Sequence, residues 1–259
     1  MANILFEVRD GVGWVTLNRP ERLNAISRTT IIDLQEMLDQ VDGRRDVRCL
    51  AFTGAGRAFS AGADVKEWYE RSGEAEPGLG WVPLMHALIL RLRRYRLPLV
   101  AAVNGVAVGG GCDITLACDI RIGSTNARFG EAYINVGTIP DAGGSYLLPR
   151  IIGHARAAEM ILTGRIIDAE EAHRFGLLNR LVQPEALIEE GHAFARGLAE
   201  GPTVAIGLAR KNLDRSWHLD LEAELAQERA AGELCHVTYD SGEGPKAAYE
   251  RRKPKFEGR

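Results

Sequence analysis

Residues 98–118 read PLVAAVNGVAVGGGCDITLAC and contain the pattern that decides the fold of this chain. A fully apolar run predicts a buried strand ending at Asn104-Gly105, and the residues from about Gly111 to Cys118 predict a helix. Three consecutive glycines lie between these elements, although glycine is costly where side chains could pack. Such a turn exposes backbone N–H groups at a helix N-terminus, which suits a phosphate or the developing oxyanion of a carbonyl.

The glycine triplet matches neither of the common phosphate-binding patterns. No GxxxxGK[ST] sequence is present, and GVAVGGG differs from GxGxxG. Close packing of the helix on the strand is an alternative explanation of the glycines. A second small-residue turn, GRAFSAGADVKEW at residues 56–68, offers another backbone donor at Ala63. Two backbone donors from different loops that converge on one oxygen form an oxyanion hole.

The remaining sequence predicts an α/β protein. Two β-rich runs joined by Asp10-Gly11 predict a hairpin, and residues 28–42 have helical apolar spacing with Ser27 as N-cap. Residues 81–96 predict an amphipathic helix that stops before Pro98. The glycine-rich stretch at residues 73–80 predicts a mobile loop.

The C-terminal part of the sequence predicts helices. From Pro184 onward the pattern is helical almost to the end, and Pro202 and the segment DSGEGP at residues 240–245 predict breaks between three or four helices. We assign residues 1–200 to the α/β core and residues 201–259 to a C-terminal helical region.

Composition and charge exclude several classes of protein. The chain has 259 residues, of which 46% are hydrophobic, and a formal net charge of −3. This length can bury a substantial core, and the mild acidity predicts no nucleic-acid partner and no attraction to anionic membranes. No apolar run could span a bilayer and the start lacks a signal-peptide pattern, so we expect a cytoplasmic protein with no membrane partner.

The cysteines and histidines give no metal-binding pattern. Cys49, Cys112, Cys118 and Cys235 are scattered without a CxxC pair, and the six histidines lack the HExxH spacing. Reduced, mostly buried thiols and no metal site are therefore expected.

Five segments together resemble the enoyl-CoA hydratase/isomerase (crotonase) superfamily, and the resemblance runs from about Phe6 to Arg259. They are LNRPERLNAI (17–26), FTGAGRAFSAGADVKE (52–67), PLVAAVNGVAVGGGCDITLACDIRIGS (98–124), FGEAYINVGTIPDAGGSYLLPRIIG (129–153) and YERRKPKFEGR (249–259). The resemblance implies a crotonase-like spiral of ββα units, a C-terminal helical trimerisation region, and homotrimers that often pair into hexamers.

The resemblance also implies a substrate and an oxyanion hole. The substrate is an acyl-CoA thioester, and its carbonyl oxygen lies between the backbone N–H groups of Ala63 and Gly110. Coenzyme A is part of the substrate, so no separate cofactor is implied.

The residues that transfer protons differ from those of the hydratases in this superfamily. Hydratases carry two glutamates, and this chain has Asp113 and Tyr133 at those positions. A phenol with a pKa of roughly 10 is a poor base at neutral pH. Asp113 is one methylene shorter than glutamate. It either lines the pocket as a candidate catalytic carboxylate or lies partly buried in the first turn of its helix, capping it where the helix dipole favours a negative charge. Tyr133 forms a wall of the acyl pocket or holds a water or a substrate oxygen.

A second carboxylate is available at Asp141, in the segment TIPDAGG. Many hydratases of the family have glycine there, whereas dienoyl-CoA isomerases and a ring-epoxide isomerase use an aspartate to move the proton. The alternative is that Asp141 caps the helix that follows. The three acidic or phenolic positions favour isomerisation slightly over hydration.

Coenzyme A binding is implied at two places. The turn Ala61, Gly62, Ala63, Asp64, Val65 and Lys66 resembles the adenine-binding edge of the family. Lys66 and Arg22 are candidates for the phosphates, since phosphate groups need cations. Lys253 and Phe256 either help to bind the nucleotide, from a neighbouring subunit, or belong to a solvated helix end.

Two other functions stay open at this stage. An aryl-CoA dehalogenase of the superfamily uses an aspartate at the position of Asp141 as a nucleophile. Since both usual glutamates are absent, a non-catalytic acyl-CoA-binding or RNA-binding homologue is a further alternative.

Overall fold

The structure is a computed structural model that describes residues 2–70 and 80–259. Except for Gly80, the glycine-rich segment at residues 73–80 that was predicted to be a loop lies outside the described residues. The strands, numbered in chain order, are β1 (Ile4–Arg9), β2 (Val12–Leu17), β3 (Cys49–Gly54), β4 (Ala58–Ser60), β5 (Leu99–Val103), β6 (Val106–Val108), β7 (Ile120–Ser124), β8 (Arg128–Gly130), β9 (Ile167–Asp168) and β10 (Arg180–Val182).

The helices are numbered in the same way and become more frequent toward the C-terminus. They are α1 (Arg28–Asp42), α2 (Val65–Glu70), α3 (Val82–Arg94), α4 (Gly110–Ala117), α5 (Gly144–Ile152), α6 (His154–Thr163), α7 (Ala169–Arg174), α8 (Leu187–Ala199), α9 (Thr203–Arg215), α10 (Leu221–His236) and α11 (Tyr239–Tyr249). Short 3-10 helices occupy Pro20–Arg22, Ala132–Val136 and Pro184–Ala186.

The strands form two sheets, and the chain winds between them as a spiral. One sheet has the order β1-β2-β3-β5-β7-β10 and the other the order β4-β6-β8-β9. After the antiparallel β1–β2 hairpin, β3, β5 and β7 pair in parallel in the first sheet, while β4, β6 and β8 pair in parallel in the second. Each turn of the chain therefore adds one strand to each sheet before a helix returns it. The predicted spiral of ββα units is confirmed.

The first sheet is covered on both faces, which explains its continuous apolar strands. In β3, Leu50 and Phe52 join the larger core under α1, α3 and α4, whereas Cys49 and Ala51 join a second core under α8. Side chains alternate between the faces of a strand, so both faces must be apolar when both are buried.

Local signals in the sequence set several element boundaries. The hairpin turns at Asp10 and Gly11, both with positive φ. Helix α1 begins after Ser27, whose side chain accepts a hydrogen bond from the Thr30 N–H at 3.1 Å. Helix α3 ends at Arg94, before Pro98, and strand β5 follows from Leu99. These elements agree with the predictions.

The prediction that DSGEGP interrupts the C-terminal helices is wrong. Helix α11 runs through this segment and contains Pro245. The Thr238 side chain caps its start, and the buried Asp240 carboxylate accepts the backbone N–H of Glu257 at 2.7 Å. The cap and the contact with the C-terminal tail compensate for the helix-breaking residues, since such contacts override local propensity.

The sequence also led to predictions about membrane-spanning helices, metal sites, cysteines and the domain boundary. No described helix has the length and apolar character that a membrane crossing requires. Across residues 2–70 and 80–259, no group of three or more acidic, histidine or cysteine side chains is arranged to hold a metal. The cysteines are free thiols, and Cys49, Cys112 and Cys118 are buried. The boundary at residues 200 and 201 stays a prediction.

Candidate active site

Two glycine turns lie side by side where parallel strands β4 and β6 end. Gly62 has a φ of +85° and Gly109 a φ of +51°, a region that favours glycine. A β-carbon on Gly62 would lie 2.7 Å from the Val108 carbonyl oxygen, and one on Gly109 would lie 3.9 Å from the Gly62 α-carbon. The two backbones approach so closely that Gly62 cannot be replaced without a shift of the chain.

Each turn presents a backbone N–H group that is not used within the described part of the chain. Helix α4 begins at Gly110, so the Gly110 N–H has no acceptor within the helix, and it donates to no described residue. On the other turn, the Gly62 carbonyl accepts from Ile26 at 2.7 Å and the Asp64 N–H donates to Ile26 at 3.0 Å. These bonds fix the Ala63 peptide and leave its N–H without an acceptor among the described residues.

Both donors border one cavity of about 400 Å³. Most of its wall is apolar, and Trp68, Trp81 and Tyr133 supply the aromatic part. Asp141 is the only carboxylate among the described lining residues. A mostly apolar cavity with a few convergent polar groups is typical of a small-molecule site. It has the composition expected for an acyl group next to a reacting carbonyl.

Asp141 is half-buried at the cavity, and its Oδ1 atom has no hydrogen-bond partner among the described residues. The capping alternative is wrong, because α5 begins at Gly144 with Gly143 as its N-cap, and Asp141 makes no capping hydrogen bond to it. Burial raises the pKa of the Asp141 carboxyl, and His86 nearby opposes the rise. A raised pKa suits a group that takes up and returns a proton.

Asp113 is fully buried behind Tyr133 rather than exposed to the cavity. The Tyr133 hydroxyl donates to Asp113 Oδ2 at 2.5 Å. Tyr133 lines the cavity, whereas Asp113 does not. Asp113 does not cap α4, whose N-cap is Gly109. Asp113 therefore does not line the cavity, whereas its predicted place in the first turn of α4 is confirmed, and its catalytic role stays a prediction. Burial raises the pKa of the Asp113 carboxyl to about 7, and burial also raises the pKa of Tyr133, which keeps its proton.

A third acid at the site, Glu131, was not indicated by any motif in the sequence. It follows strand β8, is completely buried, and both of its carboxyl oxygens lack a hydrogen-bond partner in the described structure. Burial and the nearby Asp113 charge raise its pKa well above the ordinary range. The one available signal was its place two residues before Tyr133, at the end of a short strand.

The residues predicted to bind coenzyme A are divided by the cavity. Ala61, Gly62, Ala63 and Val65 border it, whereas the charged side chains of Asp64, Lys66 and Arg22 do not. Asp64 pairs with Arg19 at 2.9 Å, and this ion pair supports the turn. Lys66 is exposed and lies 3.6 Å from Glu70. Arg22 ends a 3-10 helix. These binding assignments stay predictions.

The C-terminal candidates lie on the tail of the same chain. Lys253 pairs with Glu200 at 2.8 Å, and the Phe256 carbonyl accepts from Arg48 at 3.0 Å. Neither side chain borders the cavity of its own subunit. Their predicted contact with a nucleotide bound to a neighbouring subunit stays a prediction.

The spiral and its cavity define an α/β enzyme of the crotonase class. The chain belongs to the enoyl-CoA hydratase/isomerase family, whose sequence model matches residues 7–259. The predicted family and fold class are thereby confirmed, and the relatives agree that the chain is an enzyme.

Relatives from both branches of the family are similar over the full length. The chain is 38% identical to 1,2-epoxyphenylacetyl-CoA isomerase of Escherichia coli, over 100% of both chains. It is 35% identical to short-chain-enoyl-CoA hydratase of Clostridium acetobutylicum, over 97% of this chain and 96% of the relative. The crystal structure of enoyl-CoA hydratase from Bacillus anthracis superposes with a TM-score of 0.94 at 35% identity, covering 99% of this chain and 100% of that one.

Proposed function

We propose that this enzyme isomerises an acyl-CoA thioester, moving a double bond by transfer of a proton. The observation that carries this proposal is that Asp141 is the only carboxylate among the described residues of the cavity wall. One carboxylate can remove a proton and return it to another carbon, whereas hydration also needs a positioned water. The isomerase among the relatives is consistent with this choice.

The proposed reaction begins with removal of a proton from the α-carbon of a 3-enoyl thioester by Asp141. The electron pair is delocalised through the double bond onto the thioester oxygen, which forms a dienolate. That oxygen accepts hydrogen bonds from the N–H groups of Ala63 and Gly110, which stabilise the developing charge. Asp141 then returns the proton to the γ-carbon, which yields the 2-enoyl thioester and regenerates the carboxylate.

Hydration is the second candidate, and the environment of Asp113 favours it. A carboxyl with a pKa of about 7 is well matched to general acid–base work at neutral pH. The Tyr133 hydroxyl, hydrogen-bonded to Asp113, would have to hold the attacking water in place of a second carboxylate. The hydratase relatives support this reading.

An exchange experiment distinguishes the two reactions. The enzyme is incubated with 2-enoyl-CoA and 3-enoyl-CoA series in heavy water, and products are analysed by mass spectrometry. We expect deuterium incorporation and interconversion of the two enoyl isomers without addition of water. A product heavier by one water, formed faster than the isomer, would contradict the proposal in favour of hydration. Turnover of neither series would contradict both.

We propose that the coenzyme A phosphates bind near the turn that contains Lys66, with Arg22 close by. An exposed ion pair four residues apart, such as that of Lys66 and Glu70, contributes little to stability. Lys66 can therefore exchange Glu70 for a phosphate at little cost. No separate cofactor is part of this proposal, and the expected cytoplasmic location stays a prediction.

We expect the enzyme to form homotrimers or hexamers through its C-terminal helices. Large apolar side chains on and between α9, α10 and α11 are exposed in the single subunit; they include Leu213, Trp217, Leu221, Leu225, Leu234 and Val237. An apolar surface of this kind is typical of a subunit interface. Sedimentation velocity at micromolar concentration should give a trimer or a multiple of it, and a stable monomer would contradict the expectation.

A further inference from the structure

Glu131 has no part in the reaction proposed above, yet its carboxyl group lies close to that of Asp113, which accepts the hydrogen bond of Tyr133. A β-carbon on Gly144 would lie 2.5 Å from Glu131 Oε2 and 2.8 Å from Asp113 Oδ1. The two carboxyl groups therefore converge across the bare backbone of Gly144. Both oxygens of Glu131 and the Oδ1 atom of Asp113 are buried without a hydrogen-bond partner in the described chain.

Two adjacent buried carboxyl groups are not both ionised unless a cation compensates them. Among the described residues, the titratable groups that face the pair are the Cys112 thiol on α4, the Tyr133 hydroxyl and Asp141 on the segment before α5. None of the three can supply a positive charge. One proton placed between Glu131 and Asp113 would instead satisfy an unpartnered oxygen on each.

We propose that Glu131 is a positioning residue that remains protonated and donates a hydrogen bond to Asp113 Oδ1. Asp113, ionised, then accepts from Glu131 on one oxygen and from Tyr133 on the other, which fixes the Tyr133 ring in the cavity wall. The inference deepens the proposed function, because it explains how Tyr133 is held beside the thioester. The acid pair itself exists without substrate.

The pKa directions agree with this assignment of the proton. Burial and the Asp113 charge raise the pKa of Glu131 well above its ordinary range, and the Cys112 thiol opposes that rise only in part. Burial raises the pKa of Asp113 to about 7, while the Tyr133 hydrogen bond opposes the rise. Because the pKa of Glu131 is raised further than that of Asp113, Asp113 is the acid of the pair expected to ionise first, as the pH passes its pKa of about 7. Above this pH, the hydrogen bond from Tyr133 therefore has an ionised carboxylate as its acceptor, which strengthens it.

Infrared spectroscopy of the substrate-free enzyme tests the protonation. About one pH unit above the pKa of Asp113, where that group is mostly ionised, the wild-type spectrum should contain the C=O stretching band of a protonated carboxylic acid. Glu131→Gln should remove this band, whereas the control Glu189→Gln, at an exposed site, should leave it. A wild-type spectrum without the band, or a band that persists in Glu131→Gln, would overturn the inference.

The pH profile of kcat/KM tests the donated hydrogen bond. In this profile, the acidic limb is the range in which kcat/KM increases with pH as Asp113 ionises. It is identified as the pH dependence that disappears in Asp113→Asn. Glu131→Leu removes the donor from ionised Asp113 and should move this limb upward by about one pH unit. Glu131→Gln supplies an amide N–H and should restore its position.

The alternatives give different results in these variants. If Glu131 were ionised, its removal in either variant would move the limb downward. A downward or unchanged limb in Glu131→Leu, or equal shifts in both variants, would overturn the inference. Failure of the proposed isomerase activity would leave the infrared result unchanged, so the two failures are distinguishable.

Discussion

Asp141→Asn is expected to lower kcat for enoyl-CoA isomerisation by about 10²- to 10⁴-fold, the usual contribution of a general acid–base group. Asparagine has nearly the same size as aspartate but cannot take up the α-proton. The start of α5 does not depend on Asp141, because Gly143 is its N-cap. Coenzyme A affinity and the free energy of unfolding should therefore change little. Steady-state kinetics measures kcat, titration calorimetry measures the affinity, and thermal unfolding measures the stability.

The matched control for this prediction is Asp113→Asn. Asp113 lies behind Tyr133 and does not border the cavity. The asparagine can still accept the Tyr133 hydrogen bond, so we expect a smaller loss of kcat than in Asp141→Asn. Full activity of Asp141→Asn together with an inactive Asp113→Asn would contradict the assignment and make Asp113 the base of a hydratase-like site.

Gly110→Pro is expected to lower kcat by about 10²- to 10³-fold, as found on removal of one oxyanion-hole donor. Proline lacks the backbone N–H, while its φ suits the first residue of a helix, which is the place of Gly110 in α4. A β-carbon there would lie 3.4 Å from Ile26 and 3.5 Å from Met85 side-chain carbons, at the ends of flexible chains. The fold should therefore tolerate the substitution.

Gly110→Ala is the matched control, because it adds the β-carbon and keeps the N–H. The difference in kcat between the proline and alanine variants measures the donor alone, and circular dichroism with thermal unfolding shows whether each variant is folded. Equal activities in two folded variants would remove the Gly110 N–H from the mechanism. A loss shared by both variants would assign the effect to steric crowding of the cavity.

The sequence predicted those features that depend on neighbouring residues. The hairpin at Asp10-Gly11 and the N-cap at Ser27 are formed by residues within a few positions of one another. The start of α4 at the glycine triplet follows from the change of hydrophobic period between strand and helix. Family motifs then placed Ala63, Gly110, Tyr133 and Asp141 around one substrate, and the structure brings these four to one cavity.

Only the tertiary structure decided how the acids of the site are used. Residues 113, 131 and 144 come from separate elements, so no sequence window could show that two carboxyl groups meet across a glycine. The burial of Asp113 behind Tyr133 and the lack of capping by Asp141 depend in the same way on packing between distant segments. Burial and unpartnered oxygens set the protonation of a carboxyl group, and both are properties of the folded chain rather than of its local sequence.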